Sequence, residues 1–294
     1  MPNYDVEKGK SMPKAFYACL LGLTALGQAK EIPDWSFSFT PFTRYSFEQD
    51  LNSDNSFSVW RSGLSFQGGG PINSFLLVGW TSNLEHANYD FADDTFAGDF
   101  IFLDFRPSLS VYLNPDLGFY TGILVGMGAE TGADLGDSMV YGGFVGFNYQ
   151  MAPHVWVGTG IGFSTQLEDD PIILPLISLD WRINDDWILS ISGLRGDLSY
   201  KIDDRWSFYL EGRYDIRQYR LTDEAAINHG VLGDRSAAAG VGIRYSPHPA
   251  VTFSLVGGLI LWREITLYDD HETKVYEDTA EPTGYVSANM RFAW

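Results

Sequence analysis

The chain has 294 residues, of which 15% are aromatic and only 19% charged, below the ~25% of an ordinary soluble domain. Acidic residues number 38 against 19 basic ones, a net charge of −19; a chain so acidic repels nucleic acid, and no nucleic-acid partner is expected. The single cysteine, Cys19, lies near the N-terminus, which excludes disulfides and cysteine-ligated metals from everything that follows it.

Residues 1–29 read as a signal peptide. Lys8, Lys10 and Lys14 make a basic start, Ala15 to Leu26 a short apolar run, and Gly27-Gln28-Ala29 a cleavage site, so the mature chain is expected to begin at Lys30. Met12 is an alternative start. The apolar run, at ~12 residues, is too short for a membrane helix, which needs ~20. Cys19 sits near the beginning of that run, whereas a lipidated cysteine would end it.

Beyond Ala29 no stretch of about 18 apolar residues occurs, and the dominant period is two. The alternation predicts fourteen strands: 35–46, 57–67, 74–84, 98–113, 117–130, 138–151, 155–167, 172–183, 187–193, 197–202, 205–220, 235–246, 250–265 and 282–294. In the first, Trp35, Phe37 and Phe39 alternate with Ser36, Ser38 and Thr40. In the fourth, Ile101, Leu103 and Phe105 alternate with Phe102, Asp104 and Arg106. In the last, Val286, Ala288, Met290, Phe292 and Trp294 oppose Tyr285, Ser287, Asn289 and Arg291. Tight turns are expected at 68–73, 114–116, 152–154, 184–186, 203–204 and 247–249. They alternate with longer polar connections at 47–56, 85–97, 131–137, 168–171, 194–196, 221–234 and 266–281.

Strands of ~11–16 residues are too long for a soluble sandwich, where ~5–6 is usual. They suit tilted membrane strands, and short turns alternating with long loops are the asymmetry of an outer-membrane barrel. In lipid every backbone N–H and C=O must be paired inside the protein, so the sheet has to close. Trp35, Tyr45, Tyr149, Trp181, Trp187, Trp206 and Trp294 fall near strand ends, where aromatic rings settle among headgroups. The expectation is one all-β domain over 30–294: a transmembrane antiparallel β-barrel of fourteen strands, or twelve if the short hairpin 187–202 does not span. It would sit in the outer membrane of a Gram-negative bacterium, with outer-membrane lipid as its surroundings. It would have no plug domain and no periplasmic appendage.

The end of the sequence carries resemblances. The alternation finishing in Met290-Arg-Phe-Ala-Trp294 resembles the C-terminal β-signal read by the barrel-assembly machinery, which implies that machinery as a partner and Met290, Phe292 and Trp294 as the assembly signal. Further residues do the same over roughly the last 40% of the chain. Leu174-Pro-Leu-Ile-Ser-Leu-Asp-Trp-Arg-Ile-Asn, Asp204-Arg-Trp-Ser and Gly242-Ile-Arg-Tyr-Ser-Pro resemble a family of bacterial outer-membrane barrels of unknown function. The resemblance implies the barrel and its location and no activity.

Parity assigns the lumen. Arg44, Asp104, Arg106, Asp180, Arg182, Glu211, Arg213, Asp215, Arg217, Arg244 and Arg291 should point inward. Such charges suit a watered pore, where they tune selectivity, and equally a filled barrel, where they pair with one another. Glycines such as Gly122, Gly126, Gly142, Gly146, Gly158, Gly160 and Gly162 share that face, leaving either space or room for bulky neighbours. In the connections 47–56, 85–97, 131–137, 168–171, 221–234 and 266–281, 21 carboxylates face one base, Lys274. That rim should draw cations, and divalent cations could bind it loosely. The primary expectation is a small pore for ions or small solutes, modestly cation-preferring. The alternative is a non-conducting structural or surface-interaction barrel. A loop-based hydrolase would rest on Asp269-Asp270-His271 and Asp93-Asp94, as in barrel proteases of the omptin type, which resemble this chain in length. These combinations are commonplace in acidic loops. No enzyme, no catalytic residue and no cofactor is expected.

Overall fold

The computed structural model describes residues 34–294 apart from Asp54, residues 93–97, Glu224, Ala226, Asn228 and Glu272. The expected signal peptide and the Lys30 start lie outside the described residues. Fifteen strands follow in order: β1 Ser36–Asp50, β2 Ser56–Asn73, β3 Leu76–Phe91, β4 Gly98–Asn114, β5 Leu117–Glu130, β6 Met139–Ala152, β7 Val155–Ser164, β8 Ile172–Arg182, β9 Trp187–Ser192, β10 Arg195–Lys201, β11 Trp206–Arg220, β12 Val231–His248, β13 Val251–Tyr268, β14 Lys274–Ala280 and β15 Thr283–Ala293. From β1 to β14 each strand pairs antiparallel with the next, β13 pairs also with β15, and β15 closes on β1. The ring therefore has fourteen strands, with β14 as an addition above it. No described helix is long and apolar enough to cross a membrane.

Alternation decides which face meets what. Along β2 the even positions Trp60 and Phe66 are exposed, while Phe57, Val59 and Arg61 are buried inside. Along β4, Ile101, Leu103 and Phe105 face out, and Phe100 and Asp104 face in. Several tight turns at one end are Asx turns. The Asn114 Oδ1 accepts from the amides of Asp116 and Leu117, Asn184 serves Asp186 and Trp187, and Asp203 serves Arg205 and Trp206. Trp187 and Tyr200 pack tilted and Trp206 and Tyr245 stack just above these turns, as an interfacial girdle does.

The long connections are shorter than the sequence implies, because strands continue into them. β1 runs to Asp50, β3 to Phe91 and β13 to Tyr268. β14 occupies 274–280, most of the remainder of the expected loop 266–281. The turn expected at 68–73 is strand, and the reversal falls at Ser74–Phe75. The connection 194–196 is a tight hairpin in which Gly193 takes φ +56, a conformation that favours glycine.

Ring height is uneven. β7 ends at Ser164, and the β9–β10 hairpin turns opposite Arg213. β11 runs on beyond that tip to Arg220, where its free edge meets β5 in a parallel bridge, Arg220↔Ala129. Gly128 makes this possible: a Cβ there would lie 1.9 Å from the Gln218 carbonyl oxygen. The loop end of the barrel is thus a narrower storey made of β1–β5, β11–β13 and β14, set on a wider lower one.

Candidate functional site

The narrow storey is filled. Leu51, Phe57, Val59, Ala87, Tyr89, Phe91, Phe100, Tyr219, Leu221, Leu232, Ile265, Leu267 and Ala280 form one buried cluster drawn from β2–β4, β11–β14 and the residues just past β1 and β11. Packed rings hold it, with Phe57–Phe91 at 4.9 Å and Phe100–Tyr219 at 4.8 Å between centroids. Each large apolar side chain buried this way stabilises by about 1.5–3 kcal/mol.

Directly inside this apolar layer lies a charged one. Asp234 accepts from Arg61 Nη2 (2.5 Å), from the Tyr89 hydroxyl (2.5 Å) and from Arg263 Nε and Nη2 (2.9 and 2.5 Å). Arg263 Nη1 also donates to Gln49 Oε1 at 2.9 Å, and its guanidinium lies over the Phe57 ring. Glu85 accepts from Arg61 at 3.2 Å and from Arg217 at 3.3 Å. Burial without partners would be prohibitive for these groups; here each charge meets an opposite one with hydrogen bonds.

Lower in the lumen the charges sit in smaller sets. Asp215 is approached by Arg213 Nε at 3.1 Å, Arg44 at 3.3 Å and Arg195 at 3.5 Å. Arg213 also donates to Glu211, which accepts from the Tyr285 hydroxyl. Arg244 holds Asp197 with two bonds and lies 3.7 Å from the centroid of Tyr209. On the opposite wall Asp104 accepts from Asn83 and Arg106. The Arg106 and Arg195 side chains are 44% and 65% exposed, so water reaches this level. Asp180 and Arg182 stand on the inward face of β8, opposite Ser190 and Ile188 of β9. Arg291 faces in from β15, with a buried Nη2 that has no hydrogen-bond partner among the described residues.

All eleven lumen residues read from parity stand on inward faces, yet of the three most buried charges, Asp104, Asp234 and Arg263, only Asp104 was among them. Arg263 escaped because a β-bulge inverts the alternation, and its partner Gln49 because it lay in the expected connection 47–56, into which β1 runs with a slip of its own. Leu261 is the extra residue between Ala237↔Trp262 and Ala238↔Ile260, and β1 slips between Ser46 and Gln49. Asp234 and Glu85 were counted among the rim carboxylates; both are buried inside, because β12 and β3 extend past the expected loop boundaries. Arg61 could have been found, since it continues the buried parity of Phe57 and Val59.

Other rim carboxylates are paired as well. In the connection from β7 to β8, Glu168 bonds Arg220 at 2.6 Å and Asp169 bonds Arg235 at 3.0 Å. The Tyr268 hydroxyl donates to Asp169 at 2.9 Å, and Gln218 accepts from the Leu167 amide. This segment is a strap tied across β11–β13. Burial acts to raise the Asp169 carboxyl, but the bonds from Tyr268, the Asp170 amide and Arg235 outweigh it and hold the group below its usual range. Asp269, Asp270 and His271 lie together on the β13–β14 hairpin with ligand atoms within 4.8 Å. Asp270 raises the imidazole above its usual range, and the histidine side chain is 79% exposed. Asp93 and Asp94 lie outside the described residues.

Most inward glycines on β5–β7 are packing sites. A Cβ at Gly122 would meet Phe144, and at Gly146 or Gly160 the Tyr120 ring or hydroxyl, all within 2.7 Å.

Solved structures share this architecture. The chain is similar to the COG4313 outer membrane channel from Pseudomonas putida F1 at TM-score 0.52 and 8% identity, covering 91% of this chain and 98% of that one. It is also similar to a Pseudomonas aeruginosa FadL homologue at TM-score 0.49 and 11% identity, covering 91% of both. The P. putida toluene transporter TodX aligns at TM-score 0.43 and 7% identity, over 90% and 91%. At such identities the likeness shows the fold alone. No curated protein matches the sequence. A family model does match, over residues 123–293, more than half of the chain and all of its strands from the latter part of β5 onward. On that match the chain belongs to the family described as Domain of unknown function (DUF6268), and it is an outer-membrane-type, fourteen-stranded antiparallel barrel.

Proposed function

We propose that the protein is a small-solute channel of the Gram-negative outer membrane, shut at its loop end in the conformation described. One observation carries this reading: a charged, water-reached lumen ends beneath a seal two layers thick, built from strand ends and not from a separate plug. Ions that reach the loop end meet the carboxylates of 266–281 first, which favours cations. Arg220 and Arg235 neutralise part of that rim and lumen arginines oppose it, so the preference is modest.

Single-channel recording in a planar bilayer tests the proposal. The wild type should open rarely. Tyr89→Ala with Phe100→Ala, which empties the centre of the apolar layer, should raise the open fraction. Reversal potentials across a salt gradient should report cation preference at low salt. That preference should shrink as the screening length falls from ~30 Å at 0.01 M to ~3 Å at 1 M. Silence of both proteins would favour the second reading, a non-conducting structural barrel, which the tight pairing of Asp234 supports. Transport makes no use of Asp269-Asp270-His271, and the protein is read as a non-enzyme.

A further inference from the structure

The barrel wall contains a break for which the sequence is prepared. Up to the hairpin tip at Gly193 and Leu194, β9 and β10 join β8 to β11. Past the tip nothing joins them. β8 over Ile172–Ile177 pairs in register only with β7, and β11 over Tyr214–Tyr219 only with β12, until Arg220 reaches Ala129. Over almost all of that stretch the Cα atoms of β8 and β11 stay more than 8 Å apart, against ~4.8 Å for paired strands. At ~3.3 Å per residue the break is roughly 16 Å tall on the β8 side.

The free edge is written into β8. The Ile177 carbonyl accepts from the Gly193 amide at 2.9 Å, so residues 177, 175 and 173 all turn their backbone groups toward the break. Residue 175 is proline, which has no N–H to leave unpaired there. The β5–β8 side of the break is apolar, whereas β11 brings Asp215 and Arg217, each ion-paired within the lumen, to its inner edge. Leu174 and Leu176 of β8, Leu124 of β5 and Ile216 of β11 are half-buried, and Gly162 of β7 leaves space in front of Leu176, 3.5 Å from where its Cβ would be. No inward residue of β6 or β7, nor of β8 before Asp180, carries a charge. Outside, Ile173 is 69% and Phe163 47% exposed, so the break faces lipid and not water. The strap of Gln166 to Asp169, tied to Gln218, Arg220 and Arg235, bounds it above. The axial way out is blocked by the seal.

We propose that this break is a side portal, through which small uncharged apolar molecules pass between the outer leaflet and the lumen. Charged solutes are excluded by the lipid through which the break is approached, and larger amphiphiles by the strap above and the hairpin tip below. The portal deepens the channel reading, because it names a substrate class for the same lumen.

The test uses the full barrel in phosphatidylcholine vesicles with the photoreactive apolar probe 3-trifluoromethyl-3-phenyldiazirine. After illumination, peptide mapping should find label on inward Leu174 and Leu176 as well as on lipid-facing Ile173. Gly162→Trp, which fills the space before Leu176, should cut the inward labelling several-fold and leave Ile173 unchanged. Gly212→Trp, on the outward face with nothing within 4 Å of its Cβ, should alter neither. Absence of label on the two leucines overturns the portal. So does equal labelling of inward Ile188 near the turn end, which would show entry from below. Conductance is read separately. Labelled leucines in a silent barrel keep the portal and remove the ion-channel reading, and unlabelled leucines in a conducting barrel do the reverse.

Discussion

Asp234 accepts four hydrogen bonds from Arg61, Tyr89 and Arg263, and its side chain is 1% exposed. Asp234→Asn keeps the shape but leaves the buried Arg263 without a carboxylate and Arg61 with Glu85 alone. Breaking a buried pair in this way costs about 3–5 kcal/mol. The folded band in the heat-dependent gel shift should therefore melt at clearly lower temperature. Arg106→Ala removes a guanidinium that is 44% exposed and leaves Asp104 its bonds from Asn83, so it should lower the melting temperature less. Parity in the sequence identified the second residue and not the first. Inwardness follows from alternation, whereas burial follows from where a strand stops, and β12 begins at Val231 rather than 235. Arg263 was hidden by the bulge at Leu261, whose extra residue exchanges the two faces for the rest of β13.

At the scale of elements, the strap and the β5–β11 closure each allow a decisive change. The carboxyl of Asp169 is held below its ordinary value by Tyr268, Asp170 and Arg235 despite its burial. A lowered carboxyl contributes stability that is complete above the unfolded value, ~3.9, and is lost as pH falls through the folded one. The strap should stay tied down to about pH 4 and loosen below it. Hydrogen exchange of the Leu167 amide, bonded to Gln218, would report the change. Asp169→Asn should loosen it at neutral pH. Gly128→Val would drive its Cβ to 1.9 Å from the Gln218 carbonyl. That overpacking costs about 1–3 kcal/mol and should part β11 from β5, exposing residues 214–223 to protease. Gly257→Ala, with nothing within 4 Å, should change neither. Neither element was legible beforehand. The sequence marks a loop at 168–171 and a strand at 205–220, but no local pattern says that the strand crosses to β5 or that the loop's acids find Arg220 and Arg235, far along the chain.

For the whole molecule, the ring was legible because lipid leaves a single solution for a chain of amphipathic strands: closure without an edge. The seam where that closure occurs joins β15 to β1, with paired bonds between Phe37 and Trp294 at 2.9 and 3.0 Å. Outside it, Phe37 stacks on Trp294 and Phe39 on Phe292. Trp294, 70% exposed on the outward side, adds an interfacial ring at the turn end. Loss of such a ring costs roughly 1.5–3 kcal/mol, too little to open fourteen strands once formed. The seam closes the ring, however, and the resemblance of 290–294 to an assembly signal would put recognition on the same rings. Replacing Phe292 and Trp294 with alanine should therefore slow assembly and leave unfolded chain for periplasmic proteases, while barrels that do form keep a nearly normal melting point. Arg291→Ala sits between them but faces the lumen, and its Nη2 has no partner to lose. It should assemble at the normal rate. The heat-dependent gel shift in membrane fractions, followed over time after induction, separates rate from stability. A normal rate with both rings removed would show that the seam closes on its backbone ladder alone.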